Sequence, residues 1–355
     1  MTLRLSLIFL VITLFSLHVR AVQNVSVHLC DKLAAHPSEH TRVTIGKIFE
    51  KIDADAAITA CVDAVKSYPD VARFQFQLGR AYDKKGQSVT GVQWYREGAK
   101  QGHTIAQYNI GIAYTFGTGV EQNYTEGVYW FRQSAEQGFS LAQYQLANAY
   151  LYGEGVKKSY VKAALWNKKA AEQGVSIAQF NIGYAYHQGE GIEQNYVEAA
   201  KWYKKAAEQG DAGAQFNLAQ IYYYGEGIEQ DYTRAFEWFL RAAEQGDVNG
   251  MTNLGMMLLE AKGTNKSILE AISWLNKAAE TGDIDAEVKL FESLLNDRNI
   301  KIFEPSKATK YILSAAKNTI PSKLNHNEKP RAKYLSYSML DRGYGVDRNQ
   351  KEAIE

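Results

Sequence analysis

The sequence predicts an all-α protein: an α-solenoid of stacked antiparallel helix pairs with a 36-residue repeat. Three observations carry that prediction. The chain's six tryptophans, Trp94, Trp130, Trp166, Trp202, Trp238 and Trp274, stand 36 residues apart at every step. Glycine is plentiful and proline scarce, 28 against 5, which suits many helices broken by glycine. Each period also reads as two helices, neither able to bury its apolar face without a stacked neighbour.

The elements follow in order. Residues 1–21 read as a signal peptide: Arg4 precedes an apolar run from Leu5 to Leu17, and Val19-Arg20-Ala21 offers a small residue at −3 and −1 for cleavage after Ala21. The run of about 13 residues is short for a bilayer-spanning helix of about 20. An uncleaved anchor is the alternative. No other long apolar segment occurs, so no integral membrane segment is expected after cleavage, and the mature chain is expected to be periplasmic or secreted.

Residues 22–69 hold both cysteines, Cys30 and Cys61. In an oxidising compartment one disulfide is the simplest account of an isolated pair. A metal site is the other reading, but His28, His36 and His40 have no zinc-like spacing with the two cysteines. Residues 70–103 carry Trp94 behind a turn that lacks Gly-x-Gly. Five full units then occupy residues 104–283. Gln-Gly recurs at Gln101, Gln137, Gln173, Gln209 and Gln245, with Thr281 as a variant; Ala-Gln recurs at Ala106, Ala142, Ala178 and Ala214. Gly-x-Gly recurs at Gly117/Gly119, Gly153/Gly155, Gly189/Gly191 and Gly225/Gly227, weakening to Ala261/Gly263.

The first helix of a unit runs, for example, from Ala178 to about His187, with Ala178, Ile182, Gly183 and Tyr186 on one face. The glycine pair then stops it, since glycine accepts the left-handed backbone at a helix end. The second helix starts at a polar cap, Asn123, Ser159, Asn195, Asp231 or Ser267, seven residues before each tryptophan from the second onward. Glu126, Glu198 and Glu270 stand three residues on, as reciprocal capping-box partners. Beyond the five units, residues 284–330 form a divergent repeat and linker, with Tyr311 in place of tryptophan. Residues 331–355 begin a new unit with Gly343/Gly345 and the cap Asn349. Its tryptophan would fall one position past the last residue, so this half-repeat is expected to be a truncation, poorly ordered or covered by a partner.

These residues resemble the Sel-one-like repeat family, relatives of tetratricopeptide repeats with a longer turn. The family pattern A-x-x-x-L-G-x-x-Y-x-x-G-x-G-V, a polar cap, then A-x-x-W-Y-x-x-A-A-x-Q-G, stands nearly whole in residues 178–210 and covers 104–283. Residues 70–102 look like an ordinary tetratricopeptide unit, and 22–66 like the helical leader of exported bacterial members. The resemblance implies a right-handed superhelix with the first helices on its concave side. It also implies a non-catalytic protein-interaction scaffold in exported or membrane-associated complexes. Some bacterial members bind or slowly hydrolyse β-lactam compounds, so a cell-wall-active protein is the rival reading.

Function is expected on the first helices. Three series should face the groove: Phe76, Tyr108, Tyr144, Phe180 and Phe216; then Arg80, Ile112, Asn148, Tyr184, Gln220 and Met256; then Asp83, Thr115, Leu151, His187, Tyr223 and Leu259. The resulting aromatic, weakly charged surface suits a peptide or protein partner with apolar anchors. Inter-helix packing is the other reading, above all for the first series. Each tryptophan follows a small residue by three positions and is expected in the core. Lys+Arg is 40 against 39 for Asp+Glu, a balance that gives no pull toward nucleic acid. No cofactor or metal is implied. No metalloprotease, P-loop or nucleophile-elbow motif occurs. The two Ser-x-x-Lys matches, Ser159–Lys162 and Ser314–Lys317, lack companion motifs. Asn24, Asn123 and Asn265 head glycosylation sequons that matter only in a eukaryotic host.

Overall fold

The computed structural model describes residues 28–35, 49–283, 285–286 and 289–290. The expected signal peptide, the half-repeat at 331–355, Tyr311, Asn24, His36, His40 and the Ser314–Lys317 pair lie outside them. Among the described residues there are fourteen α-helices and no strand. A short α1 (Leu29–Ala34) and α2 (Ala54–Ser67) precede six helix pairs: α3 (Ala72–Lys84) and α4 (Ser88–Lys100), α5 (Thr104–Phe116) and α6 (Tyr124–Glu136), α7 (Ser140–Tyr152) and α8 (Tyr160–Glu172), α9 (Ser176–Gln188) and α10 (Tyr196–Glu208), α11 (Ala212–Tyr224) and α12 (Tyr232–Glu244), α13 (Val248–Glu260) and α14 (Ile268–Glu280). The residues separate into two compact units: one runs through Ile182 and includes Glu190–Ile192, and the other takes Gly183–Gly189 and continues from Glu193.

In the first unit, α1 and α2 act as an end piece for the first pair. Cys30 and Cys61 form a disulfide that ties α1 to α2. Asp31, nearly inaccessible, accepts from Arg73 Nε at 3.0 Å and Gln77 Nε2 at 3.1 Å on α3. Arg80 donates to the Ala34 carbonyl at 2.7 Å. Arg80, expected at a groove, is therefore buried, and so is Phe76, in the core of the first pair. Phe76 also packs against Tyr95 and stacks on His103.

The expected caps form. Asn123, Ser159, Asn195 and Asp231 accept from the backbone N–H three residues on, at 2.9–3.4 Å. Ser267 makes no such bond. The reciprocal glutamate bonds do not appear; Glu198 instead accepts from Lys201, at 2.6 Å. The first helices have caps that the sequence reading passed over: His103, Asp211 and Asp247 accept from Ala106, Ala214 and Gly250.

The tryptophans are not the deepest residues of the second helices. Trp202 and Trp238 are 7% and 9% exposed, while Trp94, Trp130, Trp166 and Trp274 are half-buried. Their outer faces carry cations: Lys169 stands 4.1 Å above Trp166 in the first unit, and in the second Lys205, Arg241 and Lys277 cover Trp202, Trp238 and Trp274 at 3.9–4.3 Å. The fully packed side chain is the next one along, Tyr95, Phe131, Tyr203, Phe239 or Leu275. It presses onto a small residue of the first helix. A Cβ on Gly111 would fall 2.6 Å from the Phe131 ring, and one on Gly183 would fall 2.8 Å from Tyr203. Glycine there lets the two helices and an aromatic ring share one layer.

The turn glycines have two duties. Gly153 ends α7 in the left-handed conformation, with its N–H bonded to Ala149. Gly155 is also left-handed and lies against the start of α6 in the preceding repeat; a Cβ there would meet the Tyr124 carbonyl at 2.3 Å. Gly263 lies in the same way on Tyr232 in the second unit. Ala261, at the weakened first position, keeps the left-handed backbone with φ 55°, a conformation that costs an alanine about 1–2 kcal/mol.

The recurring glutamines form a buried ladder. Gln107, Gln143, Gln179 and Gln215 are almost fully buried, and each donates to the carbonyl eight residues earlier, Ala99, Ala135, Ala171 and Ala207, at 3.1–3.2 Å. Gln137, Gln173 and Gln245 donate in turn to the side-chain oxygens of Gln107, Gln143 and Gln215 at 2.7–2.8 Å. Each bond spans 30 residues and joins the first helix of a repeat to the end of its second. In the last full repeat both members change together: Met251 and Thr281 replace the pair, and Thr281 donates to Ala278 instead.

The turn glycines and the glutamines each give a test. Gly174, with φ +90° and nothing within 4 Å of where a methyl would stand, should lose about 1–2 kcal/mol on change to alanine through backbone strain alone. Gly155→Ala should lose about 1–3 kcal/mol more, because the methyl drives two backbones apart; equal losses in urea unfolding would mean the contact does not set the repeat spacing. Gln143→Met should cost about 0.5–1.5 kcal/mol by removing one donor from the Ala135 carbonyl, which keeps the Gly138 N–H, together with the bond from Gln173. The double change Gln143→Met/Gln173→Thr, copying the last repeat, should cost less than the sum of its singles, which a double-mutant cycle reads.

Candidate functional site

The three first-helix series divide by what they touch. In the first unit, Tyr108 packs against Phe131 of its own pair and Phe139 ahead of α7. Burial raises its hydroxyl above the usual tyrosine range. Ile112, Leu151 and Tyr108 flank the core around Leu146, and Tyr144, Asn148 and Phe180 are partly exposed. Thr115 turns inward, its hydroxyl bonded to the Gly111 carbonyl at 2.9 Å. Asp83 accepts from Tyr95 and Ser88, and burial, the larger influence, holds its carboxyl above the usual range.

In the second unit, Tyr184 is the most open of the series at 42% exposure. Gln220 and Met256 are partly exposed, and Phe216 packs on Phe239. His187 and Tyr223 are tied down. His187 Nε2 lies 3.1 Å from Glu226 in the next turn, and its ring meets Tyr196 and Tyr203. One repeat later Tyr223 accepts from Lys262 Nζ at 2.8 Å. Glu260 first and Tyr223 second hold that ammonium above the usual lysine range. Both links span 39 residues and join a first helix to the turn of the following repeat. The sequence reading missed them because neither partner keeps its residue type through the period.

Ser159 uses its hydroxyl as a helix cap, and Lys162 places its ammonium 5.1 Å above the Tyr150 ring. Asn123 is likewise occupied as a cap. Among the described residues there is no group of three or more His, Cys, Asp or Glu placed to hold a metal ion. None of the described helices is long and apolar enough to cross a membrane.

A family model described as Sel1 repeat matches residues 72–103, 104–139, 140–175, 176–211, 212–247, 248–283 and 334–355. It thus counts the unit expected to be an ordinary tetratricopeptide as a Sel1 repeat. No curated protein matches the chain. Among solved structures, a protective antigen present in uropathogenic Escherichia coli strains, displaying an SLR fold, is 28% identical with TM-score 0.71, covering 84% of this chain and 62% of its own. This chain thus spans less than two thirds of that protein. A Sel1 repeat protein from Oxalobacter formigenes is 30% identical with TM-score 0.58, over 71% of this chain and 98% of its own. With the family pattern over most of its length and the helix pairs it implies in place, the chain belongs to the Sel1 repeat family.

Proposed function

We propose that this chain is a non-catalytic scaffold that captures a peptide or protein partner on the exposed faces of its first helices, in a periplasmic or secreted setting. Sel1 repeat proteins are generally protein-interaction scaffolds. The observation that carries the finer reading is the strip of partly exposed side chains on successive first helices. It runs Ile112 and Asn148 in the first unit, and Tyr184, Gln220 and Met256 in the second. Each repeat presents an aliphatic, aromatic or amide group at the same register. Within each unit, a partner that follows the repeats would meet one anchor per repeat, the arrangement by which recognition surfaces gather affinity from a few side chains. The Cys30–Cys61 disulfide supports the extracytoplasmic part, since such bonds persist where the surroundings are oxidising.

Tyr184→Ala/Met256→Ala tests the surface. Neither side chain holds a hydrogen bond on which folding rests, so melting temperature should stay within about 2 °C, while capture of partner from extracts of the native compartment should fall at least about tenfold. Unchanged capture would remove these faces from the reading. For the compartment, the exported chain should begin at Val22 by N-terminal sequencing. Recovery of intact chain in the cytoplasm would count against export.

A further inference from the structure

Two consecutive turns of the first unit carry opposite charge. Residues 117–126 hold two glutamates, Glu121 and Glu126, and no cation. Residues 153–162 hold three lysines, Lys157, Lys158 and Lys162, against Glu154. Glu121 and Lys157 occupy one position of the period, Glu126 and Lys162 another, and all four are exposed. The lysines are the departure. The following repeats have Glu193 and Glu198, then Glu229 and Arg234, so both positions are basic only in the repeat 140–175.

Aromatic rings frame the same two turns and face solvent. Phe116 and Tyr152, the last residues of α5 and α7, are each 67% exposed. Tyr124 and Tyr160, the first residues of α6 and α8, are exposed as well. Clustered exposed rings of this size mark interaction surfaces. The two turns also touch: Gly155 of the second lies against the Tyr124 carbonyl, where a Cβ would stand 2.3 Å away. In the basic half, Lys158 holds its ammonium 4.7 Å from the Tyr160 ring. The acidic and basic halves therefore form one strip, with two rings in each.

We propose that this strip is a homodimer interface, covered by a second copy of the same chain set antiparallel about a two-fold axis between the two turns. Such an axis brings residues 117–126 of one copy opposite 153–162 of the other, and does so twice. Glu121 and Glu126 then face Lys157 and Lys162 across the axis, and each ring pair meets the other. An acidic partner or an anionic membrane would be repelled by the glutamate half, and a basic partner by the lysine half. A strip of two opposite halves is complementary to itself. It uses none of the side chains assigned to partner capture.

Sedimentation of the full chain tests the interface. The unmodified chain should be dimeric at about 100 µM and dimerise more weakly as salt rises from about 0.05 to 0.5 M. Glu121→Lys/Glu126→Lys and Lys157→Glu/Lys162→Glu each copy the charges of the neighbouring repeat, so both should keep wild-type helicity by circular dichroism. Either variant alone should dimerise at least about tenfold more weakly. An equimolar mixture of the two should recover the affinity, because every facing pair is again opposite in sign. A monomer at that concentration overturns the interface, as does a dimer indifferent to salt or to charge reversal, or a mixture of folded variants that stays monomeric. The salt series on the unmodified chain decides even if a variant folds badly. Tyr184→Ala/Met256→Ala should leave sedimentation unchanged, so the dimer and the partner face fail separately.

Discussion

The close approach of a turn glycine to the backbone of the preceding repeat is the constraint from which the rest of this structure follows. A helix pair of 26 helical residues has too little interior to hold itself together, so each pair depends on its neighbour. At Gly155 the two backbones come within a distance that no side chain tolerates. That contact fixes how near the repeats stand. Nearness in turn brings Tyr150 within hydrogen-bond reach of Arg132, at 3.0 Å, and Phe139 against Tyr108. The spacing also explains why the second glycine persists where the first is lost: at Gly263 the neighbouring carbonyl would lie 2.1 Å from a Cβ, whereas Ala261 needs only to tolerate a strained φ.

Within a repeat the glutamine ladder does a second job. The last carbonyls of a helix lack their regular intrahelical donors, and here Ala99, Ala135, Ala171 and Ala207 each accept from the glycine N–H three residues on and take a second donor from a buried glutamine. Gln143 supplies the donor to Ala135 and is itself oriented by Gln173. A buried amide is acceptable when both of its ends are bonded and harmful when one is not. The joint replacement by Met251 and Thr281 fits that rule, since a glutamine kept at the buried position alone would hold a side-chain oxygen without its donor. The pairing is between positions far apart in sequence, yet each lies beside an element boundary, so the ladder ties the ends of the helices together rather than their middles.

Much of this was legible in the sequence. The 36-residue clock, the glycine turns and the polar caps at Asn123, Ser159, Asn195 and Asp231 all rest on local chemistry, which one chain displays. The depth of the tryptophans was not legible. Trp202 and Tyr203 stand about 100° apart on their helix, and both fall within one apolar stripe. Which of them meets the partner helix depends on where that helix sits, and the small residue at Gly183 decides for Tyr203. Lys205, three positions on, then covers the outer face of Trp202 with its ammonium. The role of the glutamines was hidden for a similar reason. Gln107 and Gln137 both keep the period, but only the fold shows that they keep it for each other. The groove series was read as one surface, whereas the end piece buries Arg80 and the core takes much of Tyr108 and Phe216.

The period therefore separates two kinds of residue. Those that keep their type from copy to copy, the turn glycines, the glutamines and the alanines of the second helices, are consumed by contacts inside the solenoid. Those that change are where the surface acquires an identity. The links of His187 to Glu226 and of Tyr223 to Lys262 occupy one register with opposite charge in the turn, so neighbouring repeats are joined by the same geometry while presenting different chemistry. The second series changes as freely, from Ile112 through Asn148 and Tyr184 to Gln220 and Met256. Under the proposed function a partner would read those differences within each unit, and the recurring contacts beneath hold them at a fixed spacing.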